Sequence, residues 1–461
     1  MMRHIYLACV LGLSVAAGCL PQEVVTWSPD GQLALVSGGQ NLRLCDAEGK
    51  LSEPLLEAMG VWLPSSDRVV LKRMKETATW AEAQPLLSET QQAQVSGQAE
   101  AFLRELTAYK GDMEEFQPAT TLSPVTLVYL REHAREQLIK RFGQDKFAQL
   151  EEMEAGVFQL QLFDVDGLTL TGGAVLVTEL DGIGEMRVSP DGKLLAYTAA
   201  IPSDLTAQGK ATRGLFVLPF EGGRPRMVMR ETYGAMDFTP DSRGLVVALA
   251  PVEPGNSGPV LGFISRCDLY PNDAPADEFE PEPLAMVVFN EDARVRCLSD
   301  GRILFSALGV NLPALPEDTN KPSGLYMLTP GQTPTLTCIL TPKERQGATP
   351  LADVFAASPD ETRVAVIYSE GQVGLLPLDG GPMHMIQEEA FDDDPPMAPT
   401  WRSAVELCML VPPGSPHGSP ARAEVVLWSP EAVRTLSQGW PALDFMTQSE
   451  PATQPTTQPA E

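Results

Sequence analysis

The feature that most constrains the fold of this chain is a short turn motif that recurs along most of its length. The first copy reads Trp-Ser-Pro-Asp-Gly at residues 27–31, and an alternating apolar stretch, residues 32–36, follows it. Proline presets φ for the first corner of a turn, aspartate caps the turn through its side chain, and glycine accepts positive φ. Each copy therefore predicts the end of one strand, a tight turn and the start of the next strand.

Copies of this motif begin at seven positions. Close matches start at residues 188, 238 and 357, a looser one at 297, and weaker ones at Trp62 and Trp401. The starting positions are separated by 35, 126, 50, 59, 60 and 44 residues. We predict a structural role, as turn residues rather than catalytic residues, for Trp27, Pro29, Asp30, Gly31, Pro190, Asp191, Gly192, Pro240, Asp241, Asp300, Gly301, Pro359 and Asp360.

A second signature follows most copies: a short apolar strand, a turn and another strand. It occurs at residues 42–45, 215–218, 325–328 and 373–376, and residues 425–428 form the third strand of the last unit. Four strands per unit, repeated seven times, predict an all-β chain folded as a seven-bladed β-propeller of four-stranded antiparallel blades over residues 23–441. Six or eight blades are the alternative counts, and a pair of β-sandwiches is the competing architecture.

The repeats resemble those of the TolB-like propellers, a group related to WD-repeat proteins, whose units carry a Trp-Ser-Pro-Asp-Gly-type turn. The resemblance covers nearly the whole chain after Cys19. It implies a propeller that works through protein–protein contact in the cell envelope. The amino-terminal domain of that family has no counterpart between Cys19 and the first repeat, so the family's specific role in translocation is not implied.

The interval of 126 residues after Trp62 differs in character from the others. Residues 76–154 show little β alternation, and apolar residues recur there at helical spacing. Ser123 followed by Pro124 is a typical N-cap and first-turn pair. We predict two or more helices inserted between the second and third strands of blade two, with residues 158–163 resuming the sheet. Their apolar faces either pack on the propeller and on each other or bind a partner.

The two ends of the chain carry signals of another kind. Arg3 and an apolar run, residues 5–17, precede Gly18 and Cys19, and this order predicts an export signal over residues 1–18. This ending resembles the lipobox of bacterial lipoproteins, and that resemblance implies lipid modification of Cys19. The alternative is an ordinary secretory signal. Residues 447–461 are rich in Thr, Gln and Pro and are predicted to be disordered.

Composition excludes several classes of protein. With 33 basic and 61 acidic residues, the formal net charge of -28 disfavours binding to nucleic acid. Apart from Cys9 in the predicted signal and Cys19, five cysteines remain; no two are spaced as Cys-x-x-Cys, so we predict buried thiols and no disulfide framework. His133 lacks the second histidine of a His-Glu-x-x-His site, and the acidic run at 392–394 lacks calcium-loop spacing. We therefore predict no metal and no cofactor.

Two functional hypotheses follow. The first is an exported, membrane-anchored lipoprotein on the periplasmic or cell-surface side, whose propeller is a non-enzymatic scaffold for an envelope protein or a peptide. The alternative is a propeller enzyme, such as a hydrolase, a lyase or a quinoprotein-like dehydrogenase, with its site in the central channel. The sequence contains no phosphate-binding loop and no Gly-x-Ser-x-Gly elbow, and we predict no catalytic residues.

Overall fold

The computed structural model describes residues 24–436 except for short internal segments. Those segments are residues 39–40, 56–57, 112, 114–115, 117, 119, 121, 152–153, 181, 206–210, 231, 250–259, 271–278, 280, 290–293, 312–323, 332–333, 341–349, 369–370, 392–396 and 417–422. The predicted signal, Cys19, the acidic run at 392–394, His417 and the predicted disordered tail all lie outside the described residues.

The described strands form seven antiparallel sheets that follow one another along the chain. The predicted seven-bladed β-propeller is thereby confirmed. Blade one holds β1 (Val25–Trp27), β2 (Leu33–Gly38) and β3 (Asn41–Asp46), and blade two holds β4 (Ala58–Trp62), β5 (Arg68–Thr77), β6 (Ala155–Asp166) and β7 (Thr169–Glu179). Blade three holds β8 (Ile183–Val188), β9 (Leu194–Leu205), β10 (Ala211–Pro219) and β11 (Arg226–Arg230). Blade four holds β12 (Thr232–Phe238), β13 (Gly244–Leu249), β14 (Val260–Asp268) and β15 (Glu282–Phe289).

Blades five to seven continue the same arrangement. Blade five holds β16 (Val295–Cys297), β17 (Ile303–Ala307), β19 (Gly324–Thr329) and β20 (Thr335–Leu340), and β18 (Gly309–Asn311) lies in the connection between β17 and β19. Blade six holds β21 (Pro350–Ala357), β22 (Arg363–Tyr368), β23 (Val373–Pro377) and β24 (His384–Gln387). Blade seven holds β25 (Thr400–Trp401), β26 (Leu407–Val411), β27 (Glu424–Trp428) and β28 (Val433–Thr435).

The chain divides into two compact units. Among the described residues, the first consists of those within Gly60–Asp164 and Thr171–Lys343. Within it, apolar clusters fill the space between successive blades: Leu160 and Tyr197 belong to the cluster of blades two and three, and Phe305 to that of blades four and five. The repeated packing of sheet on sheet is the physical basis of this unit, because each blade is apolar on both faces.

The second unit consists of Cys19–Met59, Val165–Leu170 and Glu344–Glu461. Trp401 and Val426 lie in the cluster that joins blades six and seven. Trp27, Cys45 and Cys408 lie in the cluster that joins blade seven to blade one. The strands nearest the two ends of the described chain are therefore packed against each other through buried side chains.

Two blades depart from the predicted four strands. Blade one has three strands among the described residues, and the bridges Leu42↔Leu55 and Cys45↔Leu51 cover the outer side of β3. Blade four has five, because β18 crosses from blade five and pairs with β15 through Val287↔Val310. Both departures add backbone partners to an outer strand, whose unpaired N–H and C=O groups would otherwise face solvent.

The helices lie between β5 and β6, the second and third strands of blade two, as the sequence predicted. They are α1 (Trp80–Ala83), α2 (Glu89–Ala108), α3 (Pro124–His133), α4 (Arg135–Phe142) and α5 (Gln144–Glu151), and a 3₁₀ turn, Gln84–Leu86, follows α1. The long helical pattern after Ser123 is broken twice, at Ala134, where φ is -127°, and at Gly143, where φ is +85°. A helix cannot continue through either conformation, so three short helices form instead.

Candidate functional site

The repeated turn joins the first and second strands of a blade. In blade one, Gly31 donates its N–H to the Ser28 carbonyl at 2.8 Å, and Ser28 Oγ donates to Asp30 Oδ1 at 2.6 Å. The same hydroxyl-to-carboxylate bond, 2.6 to 2.7 Å long, joins Ser189 to Asp191, Thr239 to Asp241 and Ser358 to Asp360. The turn is thus held by its own side chains.

The residue after the aspartate takes a left-handed conformation in every good copy. It is glycine at Gly31, Gly192 and Gly301, with φ of +68°, +71° and +85°, but Ser242 and Glu361 adopt φ of +60° and +55° at the equivalent place. Blade two forms the same turn although its sequence match is weak. There Ser66 has φ of +64° and donates its N–H to the Leu63 carbonyl, as Gly31 does to the Ser28 carbonyl. The turn geometry therefore tolerates more sequences than the motif suggests.

The turns also touch the neighbouring blade within each unit. In the first unit, Asp191 N–H donates to Ser242 Oγ at 3.0 Å. In the second, Arg363 Nη2 donates to the Ala404 carbonyl at 2.9 Å, and its guanidinium lies over the Trp401 ring. In these two places the turn, or the strand residue that follows it, therefore contacts the next blade.

The carboxylates of these turns are stabilised in their charged form. Partial desolvation on its own would raise the pKa of Asp360, but hydrogen bonds from Ser358 and Thr362 outweigh it and hold that pKa below its usual range. The pKa values of Asp191, Asp241 and Asp300 are lowered against the same opposing desolvation, by side-chain and backbone hydrogen bonds. A carboxyl held ionised in this way is a poor proton donor at neutral pH.

Charged side chains also occur on the innermost strands of the first unit, where a channel site would lie. Glu185 and Arg187 on β8 form an ion pair at 2.5 Å. Asp237 on β12 is buried and accepts from the Cys297 N–H at 2.8 Å and from Arg296 Nη1 at 3.2 Å. Asp237 therefore links blade four to blade five, whereas the Glu185–Arg187 ion pair lies within the single strand β8.

His133 lies at the protein surface, and most of the described cysteines are buried. His133 is exposed on α3 and stacks on Tyr129, with ring centroids 4.1 Å apart. Burial raises the pKa of Cys45, Cys267 and Cys408 to about 12, and neighbouring Asp46 and Glu48 add to the effect at Cys45. These thiols stay protonated at neutral pH. Within the described ranges, no group of three His, Cys, Asp or Glu side chains is placed to hold a metal ion.

The helices of blade two form a module with two apolar clusters. One contains only helical and loop residues, among them Phe102, Leu138 and Phe147. The other docks the module on the blade and includes Trp80 and Val157. The amphipathic faces are therefore covered by one another and by the sheet, as the first of the two predicted interpretations requires.

Polar contacts fix the position of this module on the blade. Gln91 Nε2 donates to the Thr178 carbonyl of β7 at 2.6 Å and so joins α2 to the blade. Within the module, Glu132 Oε1 of α3 accepts the N–H of Trp80 in α1 at 2.8 Å. A shallow groove of about 490 Å³ runs along α2 and faces α4. It is lined by Glu100, Leu103, Arg104, Thr107, Ala108 and Gln137. Among the described helices, none combines the length and the apolar character that crossing a bilayer requires.

Sequence reasoning missed Asp237 and the strand β18. Asp237 stands directly before Phe238 and the turn, and an acidic residue at an inward position of a strand is the signal that could have singled it out. The strand β18 has only three residues and follows β17 after one residue, so no periodicity reveals it. Its pairing with the preceding blade depends on tertiary packing.

Comparison with known proteins gives neighbours in fold only. No protein-family model matches this chain, and no curated protein sequence matches it. Solved structures do: the β-propeller domain of the Trilobed protease from Pyrococcus furiosus, reported to have an open velcro topology, is 10% identical over 91% of this chain and 98% of that chain, with a TM-score of 0.45. The β-propeller domain of Cps50 (Swd1) from Myceliophteria thermophila is 9% identical over 88% of this chain and 96% of that chain, with a TM-score of 0.44.

TolB from Acinetobacter baumannii is similar over a smaller part. It is 15% identical over 59% of this chain, with a TM-score of 0.36, and this chain spans 57% of its length. These are similarities of fold. The assignment of seven blades rests on the strand pairing described above.

Proposed function

We propose that this chain is exported, is lipid-anchored through Cys19, and acts as a non-enzymatic binding scaffold for a protein or a peptide in the cell envelope. The observation that carries the proposal is the helical module of blade two. A propeller blade needs only a short connection between its second and third strands. Here that connection is a folded module with its own apolar cluster, and it is held on the blade by a second apolar cluster and by the hydrogen bond from Gln91 to Thr178.

The state of the polar groups supports binding over catalysis. On the innermost strands of the first unit, Glu185 and Asp237 are engaged by Arg187 and Arg296. The groove on α2 instead presents Glu100 and Arg104, which are exposed and one helical turn apart. These charges lie beside Leu103 and Ala108. A small apolar area bordered by exposed charges is typical of a protein-recognition surface, which is covered by water when no partner is bound.

The first experiment removes the module without opening the sheet. Thr77 and Ala155 are cross-strand partners, so an Asn-Gly turn can join them in place of residues 78–154. The full mature chain and this variant are each used to capture partners from envelope extracts. We expect the intact chain to retain a partner that the shortened chain loses, while circular dichroism shows that the sheets of the shortened chain are still folded.

A milder variant controls for the apolar surface that the deletion exposes. Exchanging two exposed charges, Glu100→Arg with Arg104→Glu, leaves the apolar clusters of the module intact. Loss of the same partner from this variant supports binding at the groove. Retention by both variants shows that the module is not the binding surface, and turnover of a sugar, ester or peptide by the purified chain contradicts a non-enzymatic role.

Anchoring is tested separately. The Cys19→Ser variant is expected to lose incorporation of labelled fatty acid and to move from the membrane fraction to the soluble exported fraction. Unchanged membrane association of that variant contradicts lipid anchoring through Cys19.

A further inference from the structure

The outer strands of the blades differ in how their free edges are protected. An outer strand presents unpaired N–H and C=O groups that can recruit another strand, and proteins protect such edges by covering, shortening or charging them. The edge of β3 is covered by the bridges to Leu51 and Leu55, and the edge of β15 is covered by β18. A strand of three residues, Gly309–Asn311, is enough to cover the latter.

Three more outer strands are protected by charge or by length. The strand β11 has five residues and carries Arg226 and Arg230 at its two ends. The strands β24 and β28 have four and three residues. The strand β20 has six uncharged residues, and none of its large apolar side chains is among the exposed ones.

The outer strand of blade two lacks these protections. The strand β7 has 11 residues, residues 169–178 carry no charge, and Val175 is 51% exposed. Among the described strands, none pairs with its outer side. Gly172 and Gly173 have φ of +87° and +95°, outside the range of regular β-structure, and the Thr178 carbonyl accepts a hydrogen bond from Gln91. Residues 174–177 therefore form the regular open stretch of β7.

The charge around this stretch restricts what can pair with it. Residues 155–179, which form β6, β7 and their turn, contain Asp164, Asp166 and Glu179 and no lysine or arginine. The chain as a whole carries a formal charge of -28, so a second copy or an acidic segment is repelled as it approaches. A segment with basic residues outside an uncharged centre is attracted.

We infer that residues 174–177 of β7 bind an extended peptide segment by strand addition, and that this segment has alternating β-branched residues at its centre and lysine or arginine on its flanks. Main-chain hydrogen bonds supply affinity in this mode of recognition, and alternate side chains supply selectivity. This inference rests on the proposed scaffold function and names the class of partner for one edge of it.

The experiment uses the mature chain and a synthetic ten-residue peptide, with three Thr-Val pairs between two lysines at each end. Binding is followed by fluorescence anisotropy, and amide hydrogen exchange locates it. We expect protection to rise in residues 174–177, and binding to weaken about tenfold when glutamates replace the lysines of the peptide. The Val175→Lys variant, which places a charge on the open edge, is expected to weaken binding by about tenfold as well.

A matched substitution tests the location. Thr337→Lys places the same charge at an exposed position of β20, the other uncharged outer strand, and is expected to leave binding unchanged. Equal effects of the two lysine variants, protection outside β7, or no binding of the peptide at about 1 mM, a concentration at which even a weak site is occupied, would overturn the inference. Concentration-dependent dimerisation abolished by Val175→Lys would overturn it too, because a second copy would then be the occupant. If the chain does not bind the peptide but still captures an envelope partner, the scaffold function is supported and strand addition at β7 is contradicted.

Discussion

Arg402 donates from Nε to the backbone carbonyl of Gly31 at 2.8 Å, although 371 positions of sequence separate the two residues. The same guanidinium lies 5.4 Å from the centre of the Trp27 ring. Gly31 belongs to the turn of blade one and Arg402 follows the first strand of blade seven, so this contact joins the earliest and the latest blades of the chain. A turn motif that looks purely local in the sequence is therefore also an attachment point for the most distant segment.

The first prediction concerns this contact. Gly31 has φ of +68°, and an added Cβ would stand 2.5 Å from the Arg402 carbonyl oxygen. We expect Gly31→Ala to lower the free energy of unfolding by about 3 kcal/mol, from backbone strain and the displaced carbonyl together. Gly301→Ala is the control, because Gly301 has φ of +85° but no atom within 4 Å of its Cβ position. Its expected cost is about 1 kcal/mol. Equal costs in urea unfolding would show that the contact with Arg402 adds nothing.

The second prediction concerns Asp237, whose side chain is 8% exposed and accepts the Cys297 N–H. Asp237→Ala leaves that buried donor without a partner, and we expect a loss of about 3 kcal/mol of stability. Arg296→Ala removes the other end of the same ion pair, but the Arg296 side chain is 53% exposed, so its loss should cost less than about 1 kcal/mol. Thermal unfolding of both variants measures the difference, and a larger effect at Arg296 would contradict the assignment.

The third prediction concerns the stability of the folded chain in acid. The pKa values of Asp191, Asp241, Asp300 and Asp360 are lowered in the folded chain, because hydrogen bonds outweigh the partial desolvation that opposes them. A carboxyl with a lowered folded pKa contributes stability above its unfolded pKa of about 3.9, and that contribution is lost as pH falls through the folded pKa. We therefore expect the urea midpoint to be steady near neutrality and to fall below about pH 4.

One donor variant checks the origin of that acid dependence. Ser358 Oγ donates to Asp360 at 2.6 Å, so Ser358→Ala should bring the Asp360 pKa closer to its ordinary value and make the loss of stability in acid less steep. An acid profile identical to that of the unmodified chain would show that this hydroxyl does not stabilise the carboxylate.

The fourth prediction concerns thiol reactivity. Cys45, Cys267 and Cys408 are buried, and burial raises the pKa of each to about 12, whereas Cys338 is only half-buried. In a chain starting at residue 20, we expect a maleimide at pH 7.5 to label Cys338 first, and to label the four buried thiols, which include Cys297, only after unfolding. Mass spectrometry of the labelled peptides gives the order, and Cys338→Ser should remove the fast phase. Rapid labelling of Cys408 in the native chain would contradict the packing of blade seven against blade one.

The sequence by itself determined the local conformation of much of this protein. The proline-aspartate turns, the alternating strands after them and the helical spacing after Trp62 depend on neighbours a few residues away, so a single chain read from end to end reveals seven blades and an insertion in the second. It even indicated the turn of blade two, where Ser66 takes the place of glycine.

The tertiary structure alone decided which of these parts meet. The transfer of β18 to blade four, the burial of Asp237 beside Cys297, the bond from Arg402 to Gly31 and the open edge of β7 all depend on residues far apart in sequence. Local conformation follows from short-range sterics and hydrogen bonding, which composition and spacing record. Which edge is covered and which charge is buried follows from how whole sheets pack, and that packing has no signature within any short stretch of sequence.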